Sequence, residues 1–95
     1  MSLSQLVAKY IGSAEKVLKQ IQRPNTKLTI GAEEAGKVIE QAKTYLSDAK
    51  YYRDNGNLET SLASIAYCEG LLDALKLLGV VQFEWPTKQR HKKGK

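Results

Sequence analysis

Residues 51–85, YYRDNGNLETSLASIAYCEGLLDALKLLGVVQFEW, decide the fold. Asp54-Asn55-Gly56 stops one helix, because Asn and Gly tolerate the left-handed backbone that closes a helical end. Asn57 then caps a second helix, which runs to about Leu78 and stops at Gly79. A corner this short between two long helices makes them antiparallel neighbours, a helical hairpin.

At about 100° per residue, the later helix of this hairpin places Ser61, Ser64, Ile65, Cys68, Leu71, Leu72 and Leu75 on one broad face. Glu59, Glu69, Asp73 and Lys76 fall on the other side. Upstream, Ala35, Val38, Ile39, Ala42, Tyr45, Leu46, Ala49 and Tyr52 share one side of the preceding helix, with Glu33 and Glu34 in a first turn whose dipole favours acids.

Further upstream, Leu3, Val7, Tyr10, Ile11, Ala14, Val17, Leu18 and Ile21 recur at the three-four spacing of another amphipathic helix. Ser2 and Gln5 have the spacing of a capping box at its start, and Arg23-Pro24-Asn25 ends it, since the residue before proline disfavours the helical region. Residues 24–31 form a connection without periodicity. Two helices cannot cover the hairpin's apolar face, so the first helix is expected as a third wall. The expected class is all-α: an up-and-down three-helix bundle over residues 1–86, capped by an extended segment at 80–85. A tetratricopeptide-type hairpin between Tyr45 and Ala66 is the fold alternative, but arrays of that kind need about three repeats to bury a continuous core.

Size and composition agree with one small domain. The chain has 95 residues, 42% hydrophobic and 26% charged, too apolar for a disordered polymer. Its single cysteine, Cys68, excludes an intramolecular disulfide and fits a reducing, cytoplasmic setting. No segment is apolar for the roughly 20 residues that span a bilayer, and the first residues lack the pattern of a signal peptide. The net charge of +5 is unevenly placed. Ten basic and ten acidic residues balance over 1–86, and the excess lies in TKQRHKKGK at 87–95, expected to be a mobile basic tail.

The runs Leu62-Ala63-Ser64-Ile65-Ala66-Tyr67, Glu69-Gly70-Leu71-Leu72-Asp73-Ala74-Leu75, Leu78-Gly79-Val80-Val81 and Phe83-Glu84-Trp85 resemble a family of short archaeal proteins, domain of unknown function family 357. The resemblance extends through Tyr51, Tyr52 and Asn55-Gly56-Asn57, and more weakly over the preceding helix. It implies a three-helix bundle without assigned chemistry. Some members carry the domain beside a nucleotidyltransferase-like domain, which implies an accessory role. The basic tail lies outside the resemblance.

Each chemistry-bearing residue has a simpler structural explanation. Glu69 and Asp73, four apart, could share a metal or proton, but no histidine or third carboxylate joins them, and Lys76 offsets their charge. No catalytic, metal or cofactor site is expected. Cys68 has no base nearby, because the only histidine, His91, is in the tail. Tyr51 and Tyr67 lie off their core faces near the charged arc and, with Glu69, Asp73 and Lys76, form the expected partner surface. Phe83 and Trp85 flank Glu84, so an extended segment points both rings one way and Glu84 the other, as a lid on the bundle or a hook for another subunit. Lys88, Arg90, His91, Lys92, Lys93 and Lys95 could neutralise phosphates without reading sequence.

The expected function is a non-enzymatic helical module that docks on a protein partner or on itself. The alternative is a nucleic-acid-associated protein that binds weakly through its tail. No membrane role is expected.

Overall fold

The computed structural model describes residues 2–86. Three helices, α1 (Leu3–Gln20), α2 (Ala32–Asp54) and α3 (Leu58–Leu77), make up its regular structure, and no strand occurs among the described residues. The all-α class with three helices is therefore as expected.

Local chemistry sets most helix ends. Ser2 accepts from the Gln5 amide at 3.1 Å while the Ser2 amide donates to Gln5 Oε1 at 2.9 Å, a complete capping box. At the start of α2, Gly31 supplies no side-chain cap, and the Glu34 carboxylate instead accepts the Gly31 amide at 3.0 Å. α1 stops at Gln20, three residues before the expected Arg23, with Ile21 already extended at ψ 139°. Pro24 cannot donate an amide to Gln20 and holds Arg23 out of the helical region, so the final turn has nothing to sustain it.

α2 and α3 end alike. Gly56 and Gly79 have φ of 78° and 79°. The amides two positions past each helix cap reach back to Tyr52 O (from Asn57, 2.8 Å) and Leu75 O (from Val80, 3.1 Å), the Schellman pattern. Asn57 also caps α3, its side-chain oxygen accepting the Thr60 amide.

The hairpin packs along Ala42, Ala49, Cys68 and Leu75, the buried residues among those described. Small residues let the backbones approach, and the Ser61 hydroxyl crosses the seam to donate to the Ala49 carbonyl at 2.7 Å. The rest of both predicted stripes is half-buried, apart from Leu46, which is exposed.

α1 is not the third wall. It contacts neither α2 nor α3 and has no buried residue. The radius of gyration is 16.2 Å, against about 12 Å for a compact chain of this length. The physical reason lies in the connection: residues 21–24 and 27–31 have no helix or turn, and only a bend at Asn25-Thr26 interrupts them. Periodicity defines an apolar face on α1 but does not name what covers it.

Candidate interaction surface

The C-terminal segment folds back on α3. Its indole nitrogen, Trp85 Nε1, donates to Asp73 Oδ1 at 2.6 Å. The Trp85 ring meets Phe83 edge-on, with centroids 5.0 Å apart. Lys76 Nζ sits 4.9 Å from the Phe83 centroid and 3.7 Å from Glu84 Oε1. The segment is thus a lid on its own helix. Glu84 departs from the expected alternation: it reaches the same lysine that Phe83 covers, because residues 81–85 bend back toward α3 and do not form a pleated strand.

Glu69, Asp73 and Lys76 gather along this side of α3, each half-buried, with Asp73 and Lys76 engaged by the lid. Tyr67 lies on the opposite flank of α3, where its ring stacks on Tyr45 at 4.3 Å with a 28° interplanar angle. It is still 54% exposed, so one ring face seals the hairpin seam and the rest stays open. Tyr51, near the corner, is exposed and meets Tyr52 edge-on at 5.2 Å. The structure therefore brings Glu69, Asp73 and Lys76 together and sets Tyr51 and Tyr67 elsewhere on the hairpin. The tail residues Lys88, Arg90, His91, Lys92, Lys93 and Lys95 lie outside the described residues.

Two further apolar surfaces are open. On α1, Leu3, Val7, Tyr10, Ile11, Val17 and Leu18 are each 49–71% exposed and lie on one stripe, and Ile21, just past its end, is exposed as well. On the hairpin, Leu46, Ala49, Lys50, Arg53, Ser61 and Ile65 line a shallow groove of about 210 Å³. Leu58 and Leu62, both well exposed, extend the same flank of α3. Sequence reasoning placed the α1 stripe and the Leu46 and Ile65 positions in a closed core; their open state needs the tertiary arrangement to be seen.

Cys68 is buried, and burial pushes its thiol pKa above the ordinary value, with the neighbouring Glu69 carboxylate adding in the same direction. A thiol held protonated in this way packs as a small hydrophobe. Among the described residues, no three His, Cys, Asp or Glu side chains converge as a metal-binding set. Nor is any helix among them long and apolar enough to cross a membrane.

No curated protein and no solved structure matches the chain. A family model described as "Protein of unknown function (DUF357)" matches residues 9–81, which takes in most of α1 and all of the hairpin and stops before the Phe83-Glu84-Trp85 lid. On that match, over well more than half its length, the chain belongs to the DUF357 family.

Proposed function

We propose that this protein is a non-enzymatic helical interaction module, whose task is to join polypeptides through its apolar helix faces. One observation carries the proposal: the whole apolar stripe of α1 is exposed while the polar side of the helix is separately solvated. A contiguous apolar stripe of this size on a soluble chain marks a contact surface. The hairpin supplies a rigid body beside it, held by two Schellman ends and the Ser61 bond. A cytoplasmic setting suits a chain with one buried, protonated thiol.

The tail offers a second reading, favoured by its five basic residues and no acid. Phosphate contacts of that kind weaken steeply with salt. Capture from native lysate with the full chain and with a chain ending at Pro86, washed at low and high salt, separates the two. The interaction module predicts a discrete protein, or the chain itself, retained by both forms at high salt. Nucleic acid recovered only with the tail and only at low salt would instead support the second reading.

A further inference from the structure

We propose that the Asp73–Lys76 end of α3 is a docking site for an aromatic, acid-bearing segment of a partner polypeptide, and that residues 80–86 occupy it in the free chain as a tethered stand-in. The site adds a second contact to the interaction-module reading and rests on residues other than the α1 stripe.

The lid shows what this surface accepts. Three consecutive side chains meet α3 in three ways. The Trp85 indole N–H donates to Asp73 Oδ1 at 2.6 Å, the Glu84 carboxylate lies 3.7 Å from the Lys76 ammonium, and the Phe83 ring faces the same ammonium, 4.9 Å from its centroid. One lysine is thus recognised twice, by an opposite charge and by an aromatic face, and one carboxylate by an N–H donor. A segment with an acid between two aromatic rings satisfies all three. A purely apolar segment would strip water from Asp73 and Lys76 and offer no bond in return.

The lid behaves as a docked segment and not as part of the hairpin body. None of residues 80–86 is buried, and the buried seam of Ala42, Ala49, Cys68 and Leu75 draws on none of them. α3 closes on its own Schellman bonds, and the Val80 amide that completes them, reaching Leu75 O at 3.1 Å, precedes the aromatic residues. Residues 81–85 can therefore lift away with helix and seam intact.

Nor does the lid fill the surface. A space of about 530 Å³ lined by Asp73, Lys76 and Leu77 stays open beside it, and one of about 390 Å³ lies against Lys76, Phe83 and Glu84. Leu77 is 87% exposed, the most exposed large apolar side chain among the described residues. A longer segment can keep the three contacts of the lid and cover Leu77 as well, which gives it an advantage over the tethered one.

That advantage points to a different polypeptide and away from a second copy. The lid of another molecule would make the same contacts as the tethered lid, which a linker as short as residues 79–82 holds at an effective concentration of about a millimolar. Only a segment with contacts beyond those of the lid displaces it.

The test is binding of a fluorescein-labelled peptide of residues 80–86, VVQFEWP, to the full chain, followed by anisotropy. Wild type is compared with Phe83→Ala/Trp85→Ala, in which the stand-in loses both rings. Neither side chain belongs to the buried seam, and unchanged helical circular dichroism checks the fold. The open variant should bind the peptide about tenfold more tightly than wild type, where the tethered copy competes. Adding Asp73→Ala or Lys76→Glu to the open variant, or Glu84→Lys to the peptide, should each weaken binding about tenfold or more. Heptamers selected from a random library on the open variant should carry an acid beside an aromatic residue and show the same dependence on Asp73 and Lys76. No binding to the open variant, equal binding to open variant and wild type, indifference to Asp73 and Lys76, or selected heptamers without an acid would each overturn the site. A dimer of the 10.6 kDa chain that is lost in the open variant would assign the site to a second copy and overturn the partner. Failure here leaves the interaction module to be judged by lysate capture through the α1 stripe, which lies outside every residue changed in these variants.

Discussion

Asp73→Ala removes the acceptor of the Trp85 indole, a bond of 2.6 Å between a carboxylate and an N–H donor. Hydrogen bonds to charged groups contribute about 1.5–3 kcal/mol net when buried. Asp73 and Trp85 are only half-buried, so water recovers part of the loss, and about 1–1.5 kcal/mol is the expected cost to lid closure. A change of about 1.4 kcal/mol is tenfold in an equilibrium constant, so the lid should open about ten times more often. Trp85 is the only tryptophan, which makes the assay specific. Its emission should shift to longer wavelength and its quenching by acrylamide should rise, while the helical signal stays constant because α3 ends on its own Schellman bonds. Emission and quenching indistinguishable from wild type would refute the lid as the structure draws it.

Three more substitutions probe the hairpin. Gly56→Ala meets no atom within 4 Å of the new Cβ, yet its φ of 78° is left-handed; chemical denaturation should show a loss of about 1–2 kcal/mol from backbone strain alone, with Gly56→Asn costing less. Leu75→Ala empties the largest side chain of the buried seam and should cost about 2–5 kcal/mol, read as a lowered thermal midpoint. The raised Cys68 pKa means that the fold favours the protonated thiol, so this stability is fully present below the ordinary thiol pKa and is lost as pH rises through the folded value. The midpoint of wild type should therefore fall more steeply above about pH 9 than that of Cys68→Ala.

Helix ends were the most legible part of the fold, because each depends on a residue with a local task. Gly56, Gly79, Asn57 and the Ser2–Gln5 pair act within a few positions of themselves, and all four do what their side chains, or lack of one, dictate. The hairpin stripes were legible for the same reason that any amphipathic face is. Covering partners were not. The α1 stripe looks like a core wall in sequence because periodicity reports a face and is silent on distance. Tyr67 sits off the α3 core face on a helical wheel, yet its long ring swings back to stack on Tyr45; a wheel treats a side chain as a point. Glu84 was misdirected by an assumed strand, whereas a hydrogen bond twelve residues long in sequence, Trp85 to Asp73, sets the path of that segment.

Asn57 serves two helices at once: its amide donates to Tyr52 O and closes α2, while its side chain accepts from Thr60 and opens α3. The corner therefore works as an indexing pin. One residue inserted between Asn55 and Leu58 would turn α3 by about 100°, carrying Ser61 away from the Ala49 carbonyl and rotating Cys68 and Leu75 off the seam together. The same pin makes the hairpin a local object to assemble, since the two ends it joins are neighbours in sequence and their meeting closes almost no loop. In the eleven-residue arm before α2, by contrast, an added residue would alter reach and leave the phase of the hairpin untouched.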